Sequence, residues 1–253
     1  MKKSLEGKVA VITGGGQGVG LGIAMEFVEH GAKVVITGRS QATLNEAIAV
    51  LGPESSGIVA DVSNLTEMEA MFAKVVAMHG RLDTVVANAI TNANGPLGTI
   101  TEEQWDHTFN TNAKGVLFSI QPALPLMKEG GTFVIIGSTA SVQPPPSMSL
   151  YGGAKAAIRC MVRSWIQDIK GSGIRINVLS AGAIDTPSLR TALGSASGAG
   201  KVEAEIKKMG EGNPLGRLGN PREIGKAAVF LASDDASFIT GVELFADGGM
   251  AQV

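Results

Sequence analysis

The chain contains a single tyrosine, and a lysine follows it four positions later in Tyr151-Gly152-Gly153-Ala154-Lys155. On a helix that spacing is a rise of ~6 Å with a rotation only ~40° beyond a full turn, so phenol and ammonium share a face. A cation beside a phenol favours phenolate and draws the tyrosine pKa down from its usual ~10. Such a phenol can exchange a proton with a substrate oxygen near neutral pH. The same pair could equally be a core ring with a bonded hydroxyl, so its meaning depends on what the rest of the chain supplies. Ser138 follows the β-branched run 132–136, at the C-terminal edge of a strand, where open α/β sheets hold their ligands. It is placed to hydrogen-bond a substrate oxygen. It is not a hydrolase nucleophile, because there is no G-x-S-x-G elbow and no histidine to serve it.

A second group of residues could hold a nucleotide. The first apolar run leads into Thr13-Gly14-Gly15-Gly16-Gln17-Gly18-Val19-Gly20 and then into a helical pattern. Glycines there allow positive φ and close backbone approach. A helix N-terminus behind them offers N–H groups and partial positive charge to a pyrophosphate. The register through Gly14, Gly18 and Gly20 is G-x-x-x-G-x-G rather than G-x-G-x-x-G, and no P-loop motif occurs. The second strand ends in Thr37-Gly38-Arg39-Ser40, with no acid where a dinucleotide fold that selects NAD places one. Arg39 would pair with a ribose 2′-phosphate through charge-assisted hydrogen bonds, so NADP(H) is the expected cofactor, with NAD(H) possible. The alternative is that Arg39 is a solvated strand-end residue or stacks on adenine without selecting either cofactor. Asp61-Val62 follows the third strand, where the carboxylate could accept from an adenine amino group or cap the next helix; Ser63 and Asn64 suit the cap equally well. The fourth strand ends in Asn88-Ala89-Ile90.

These residues need a frame to bring them together. Runs at 9–12, 34–37, 57–60, 84–87, 132–136, 174–179 and 242–245 read as seven strands, alternating with helical patterns at 17–30, 40–50, 64–79, 101–127, 149–170 and 220–232. Met68, Met71, Phe72, Val75 and Met78 form one apolar stripe that reads as core. Near-continuous apolar strands alternating with helices predict a doubly wound parallel sheet covered on both faces, in one domain spanning 1–253. Asn110-Thr111-Asn112-Ala113-Lys114-Gly115 interrupts the 101–127 pattern with poor helix formers and predicts a local distortion, whose freed backbone group could bind water.

Composition narrows the class further. The net charge of −2 and the absence of a Lys/Arg cluster give no footprint for nucleic acid. One cysteine, Cys160, allows no disulfide within a chain. The longest apolar run is far below the ~18–20 residues of a membrane span, and the run after Met1-Lys2-Lys3 is too short for a secretory segment, so a cytoplasmic protein is expected. His30, His79 and His107 lie far apart, with no metal-ligand spacing.

Taken in order, Thr13-Gly14-x-x-x-Gly18-x-Gly20, Asn112, Ser138 and Tyr151-x-x-x-Lys155 resemble the cofactor loop and catalytic tetrad of the short-chain dehydrogenases/reductases. The resemblance covers essentially the whole chain, including Asp61, Asn88-Ala89 and Asp247-Gly248-Gly249. It implies an oxidoreductase that moves a hydride between a nicotinamide cofactor and a carbonyl or secondary alcohol. It implies Tyr151 as general acid and base, and Lys155 as the group that tunes Tyr151 and holds the nicotinamide ribose. Ser138 then polarises the substrate oxygen, while Asn112 supports a relay water. In the cofactor loop it covers Gln17 and Val19, and after the sixth strand Gly182, Ile184 and Thr186, with Thr186 at the position that binds the carboxamide. Two positions depart from the family pattern: Ile90 stands for a glycine after the fourth strand, and Ala181 stands for a proline after the sixth. A dehydratase or epimerase on the same scaffold, or a catalytically silent dinucleotide-binding regulator, are the alternative readings.

Residues 188–213 fall where that family builds its substrate lid; 193–200 reads as small and flexible, and 201–209 as amphipathic. A stiff loop at 142–148, with three prolines, and Ile90 suggest a mainly apolar pocket for a small molecule. Val116, Phe118, Ile120, Met161, Val162, Trp165 and Ile166 place apolar groups on more than one helix face, which predicts a homo-oligomer, dimer or tetramer.

Overall fold

Every residue of β1 (Val9–Thr13) and β4 (Thr84–Ala87) is buried, the pattern of a strand covered on both sides. In the computed structural model, which describes residues 4–252, these two strands lie at the centre of a seven-stranded, wholly parallel sheet of order β3-β2-β1-β4-β5-β6-β7. The other strands are β2 (Lys33–Gly38), β3 (Ser55–Val59), β5 (Thr132–Ser138), β6 (Arg175–Ala181) and β7 (Glu243–Ala246). The start Met1-Lys2-Lys3, weighed above as a leader, lies outside the described residues.

Alternation along the strands divides the core into two layers. Ala10, Ile12, Val34, Ile36, Val86 and Val134 face one side and pack under α1 (Gly18–Glu29), α2 (Gln41–Leu51) and α9 (Pro221–Ala232). Val9, Val11, Val35, Val85, Phe133 and Ile135 face the other, under α3 (Leu65–His79), α5 (Gly115–Ile120) and α6 (Ser149–Asp168). Met68, Met71, Phe72 and Val75 of the α3 stripe are fully buried there, whereas Met78 is exposed. Among the described residues, no helix is long and apolar enough to cross a membrane.

The strand order reverses between β1 and β4. Their following segments leave toward opposite faces, which opens a crevice at the C-terminal ends of the strands.

The structure corrects several boundaries. The 101–127 pattern is not one helix: α4 (Glu102–Phe109) passes into a π-helical turn at Asn110–Lys114, then α5, then a 3-10 turn at Leu124–Leu126. The expected distortion is thus a widened turn, in which Gly115 N–H donates to Asn110 O, five residues back. The stretch 193–200 is not a loop throughout, because α7 (Pro187–Ser197) runs into it. Its start signals are Thr186, whose Oγ1 accepts from Leu189 N at 3.2 Å, and a proline in the first turn. α8 (Val202–Glu211) follows. Val116, Ile120 and Val162 are buried within the chain itself and need no partner; Phe118, Met161, Trp165 and Ile166 are half-buried.

The depth of the α3 stripe can be checked by truncation. Phe72→Ala should cost ~3–5 kcal/mol, seen as a lower urea midpoint with an unchanged slope.

Candidate active site

The crevice between β1 and β4 widens into a cavity of about 540 Å³. Its walls include Gly14, Gln17, Gly18, Val19 and Gly20 of the glycine turn, Arg39 after β2, Asp61 and Val62 after β3, and Asn88 after β4. Ser138 at the end of β5, Tyr151 on α6, and Gly182, Ile184 and Thr186 after β6 complete them. Asn112 and Lys155 do not line the cavity; both are buried behind it. Sequence reasoning missed Thr43 and Leu44 on α2, Thr111 in the π-turn and Ser188. Thr43 was within reach of inference: it sits in the first turn of α2, the helix that opens right after Arg39, and its methyl group packs on Gly16.

The glycine turn is held by close contacts. Gly14 has φ +64°, and a Cβ on Gly20 would overlap the Gly14 carbonyl and crowd Asn88 Nδ2. Asn88 Nδ2 donates to Thr13 O at 2.9 Å and Gly14 O at 3.1 Å, while Asn88 N and Ala89 N both donate to Thr13 Oγ1, at 3.0 and 3.1 Å. Gln17, which precedes α1, gives it no side-chain cap, although Ser40, Asn64, Thr101, Thr186 and Asn220 each cap the helix that follows them. The first N–H groups of α1 are therefore left for an oxygen ligand at the cavity wall.

Asp61 does not cap α3; Asn64 does, its side chain accepting from Glu67 N. Asp61 Oδ1 instead accepts from Ser63 N at 2.8 Å and Ser63 Oγ at 2.7 Å. Burial pushes its carboxyl pKa up, but those two bonds, with the charges of Arg39 and His107, hold it below the usual range. Arg39, exposed at the end of the neighbouring strand β2, lines the same cavity.

Both amide hydrogens of Asn112 are engaged. Nδ2 donates to Thr91 O at 2.7 Å and Thr108 O at 2.9 Å, and Oδ1 accepts from Thr91 N at 3.2 Å. The side chain thus anchors the segment after β4, and only its Oδ1 keeps a further lone pair. Ile90 lines the cavity and is 55 % exposed. Among the described residues only Ser147 has positive φ without being glycine, so Ile90 occupies its place without backbone strain. At the other departure, Gly182 packs so close to Asp247 that a Cβ would lie 2.7 Å from Asp247 Cα, with Ala181 still in β6.

At the centre of the cavity, Ser138 Oγ accepts from Ala140 N at 3.1 Å, and the Ser138 hydroxyl is hydrogen-bonded to the Tyr151 phenol. Lys155 Nζ donates to Ile136 O at 2.7 Å and lies 5.7 Å from the Tyr151 ring centroid. The sequence expectation that the lysine lowers the phenol pKa is not met. Burial raises the Tyr151 pKa, and the opposing effect comes from the Ser138 hydrogen bond. Burial also pushes the Lys155 ammonium down to about 8. Both groups sit in the same low-dielectric wall, where each charged form loses its hydration. The arrangement can therefore present a neutral phenol to a substrate oxygen, with a hydroxyl beside it and a cation behind.

A family model described as enoyl-(acyl carrier protein) reductase matches residues 14–251. The chain belongs to the short-chain dehydrogenase/reductase family. It is 45 % identical over 251 residues to the oxidoreductase asL5 of Sarocladium schorii, covering 98 % of each chain. It is 31 % identical over 255 residues to the 3-oxoacyl-[acyl-carrier-protein] reductase FabG of Thermotoga maritima, covering 97 % of this chain and 98 % of that one. The ligand-free aldohexose dehydrogenase (AldT) of Thermoplasma acidophilum superposes with a TM-score of 0.92 at 28 % identity, over 100 % of this chain and 97 % of that one. Members of this family are NAD(P)-dependent oxidoreductases acting on carbonyl and alcohol groups. The short-chain dehydrogenase/reductase site described here fits such a dinucleotide: an uncapped helix end for phosphate, a close-packed glycine turn, and a guanidinium and a carboxylate after the neighbouring strands β2 and β3.

The burial of Lys155 makes a prediction. Its folded pKa of about 8 lies below the unfolded ~10.4, so between those values the unfolded chain binds a proton that the folded chain does not. Stability from this group is least below pH ~8 and rises as pH climbs toward 10. Urea midpoints should show wild type gaining on Lys155→Met between pH 7 and 9.5; a constant difference would mean an unperturbed lysine.

Proposed function

We propose that the protein is an NADP(H)-preferring carbonyl reductase, reversible as a secondary alcohol dehydrogenase, with Tyr151 as its general acid. The observation that carries this reading is the Tyr151 phenol, hydrogen-bonded to Ser138 at the wall of the dinucleotide-sized cavity. Burial keeps the phenol protonated at neutral pH, which suits proton donation to a carbonyl oxygen; the reverse reaction requires the phenolate and is favoured at alkaline pH. Ser138 orients and polarises the substrate oxygen. The charge of Lys155, retained below pH about 8, stabilises negative charge that develops on the phenol. The nicotinamide cofactor, when bound, supplies or accepts the hydride.

Arg39 supports the NADP(H) preference. It is an exposed guanidinium at the end of β2, next to the Ser40 that caps α2, and no acid stands at Gly38 or Ser40 to repel a 2′-phosphate. Asp61, Val62, Gly182, Ile184 and Thr186 line the same cavity and would hold the remaining parts of the dinucleotide. Among the described residues, Arg39 and Asp61, after β2 and β3, are the only charged ones of that lining, so a neutral carbonyl compound fits better than a polyanion. The helices α7 and α8, within 188–213, would cover the substrate. Exposed Trp105, stacked on Phe109 at 4.2 Å, together with half-buried Met161 and Trp165, supports a homo-oligomer.

Two substitutions test the assignment. Tyr151→Phe should fold and bind NADPH normally yet lose ~10²–10⁴-fold in turnover of the best ketone in a substrate panel, followed by reduced-nicotinamide absorbance. Near-normal turnover would remove Tyr151 from the mechanism. Arg39→Asp should reverse the cofactor preference, weakening NADPH more than NADH in fluorescence titrations; an equal effect on both would leave Arg39 without a selective role.

A further inference from the structure

Glu243 lies on the edge strand β7, outside the cavity, and nothing in the proposed chemistry uses it. Its carboxylate nevertheless joins three elements that carry the site. Oε1 accepts from Ser141 Oγ at 2.9 Å and from Ser180 Oγ at 2.7 Å, and Oε2 accepts from Arg159 Nη1 at 3.4 Å. The Glu243 side chain is only 11 % exposed, so the charge is screened less than in a surface pair.

The two hydroxyls grip the chain on both sides of Ser138. Ser141 closes the 3-10 turn Thr139–Ser141 that begins directly after it. Ser180 stands opposite Gly137 in the β5–β6 register, and a Cβ on Gly137 would overlap the Ser180 hydroxyl. The bare backbone at 137 thus lets that hydroxyl press on the peptide leading into Ser138. Arg159 continues the series 151, 155, 159 on α6, so it shares a helix face with Tyr151. A carboxylate suits this junction because one oxygen can accept two hydroxyls while the other meets a guanidinium.

We propose that Glu243 is a positioning residue for the Ser138–Tyr151 pair: its carboxylate fastens the turn carrying Ser138 to the helix carrying Tyr151. The inference rests on the roles proposed above for those two residues. Residue 243 touches neither phenol nor cavity, and it acts through the distance between β5 and α6. Removing it leaves the hydroxyls of Ser141 and buried Ser180 without their common acceptor, and the Ser138 turn is then free to drift from the phenol.

Because Tyr151 is the only tyrosine, protein labelled with ζ-¹³C tyrosine gives one phenol resonance, whose shift reads its hydrogen bond at neutral pH. Around that phenol, α6 contributes Lys155 and β5 the uncharged Ser138. Of the charged groups on other elements packed against α6, His107 of α4 is bonded to Thr91, Lys114 of the π-turn lies over Phe118 and Arg175 of β6 binds the carbonyls ending α9, while Glu102, Glu103 and Asp106 of α4 are exposed. Ser138→Ala should move the resonance. Ser141→Ala and Glu243→Leu should move it in the same direction, the latter by at least half as much. Glu243→Gln, which keeps an acceptor for both serines, should move it less than Glu243→Leu. If Glu243→Leu does not fold, Ser141→Ala carries the test alone. The proposal is overturned if Ser138→Ala shifts the resonance while the variants at 141 and 243 stay at the wild-type position. A resonance that ignores Ser138→Ala would instead remove the Ser138–Tyr151 pair itself, and the functional reading with it.

Discussion

Parallel neighbours whose connections depart toward opposite faces leave backbone groups unpaired where they part, and this site is organised by how β1 and β4 meet that constraint. Thr13 and Asn88 supply the missing partners: one hydroxyl accepts two N–H groups, and one amide serves two carbonyls. With the strand ends held, the glycine turn can lie directly on the segment after β4. The uncapped end of α1 faces the same opening.

The chemistry then depends on a dry wall. Among the described residues Lys155 has a single hydrogen-bond partner, the Ile136 carbonyl, and it is almost wholly buried. Desolvation works against charge on both the ammonium and the phenol. Burial favours the neutral phenol, and the Ser138 hydroxyl beside it pulls its pKa the other way. The carbonyl that Lys155 uses belongs to the same strand that ends in Ser138, so the cation and the hydroxyl are positioned by one element.

Much of this was readable before any coordinates. Seven strands and the α3 stripe up to Val75 followed from periodicity, because each depends on contacts that repeat along the chain; the glycine turn and several cavity-lining residues followed from motif order. What escaped depends on burial or on distant partners. Adjacency of Tyr151 and Lys155 in sequence suggested a charge effect, but only the fold shows that both are dehydrated, which reverses the direction for the phenol. The break at Asn110–Lys114 was visible in its poor helix formers, yet not its π geometry or the spending of the Asn112 amide on Thr91 and Thr108. α7 was missed because Gly and Ser in 193–200 read as flexible, and Thr186-Pro187 was not read as a helix start. Glu243 was invisible, since its partners lie 102, 84 and 63 residues away.

The segment formed by α7 and α8 is attached in an unusual manner for this molecule. α7 has no buried residue and α8 only Gly210, whereas Arg190 bridges Asp185, through two bonds of 2.7 and 2.8 Å, to Glu203 on α8. Cohesion there rests on exposed ion pairs beside half-buried apolar side chains such as Leu193, Val202 and Ile206, with almost nothing fully buried. Pairs of that kind weaken with added salt, and regions with few buried apolar contacts open at free energies far below global unfolding. Salt should therefore loosen these two helices sooner than the sheet beneath them, whose contacts are apolar and buried.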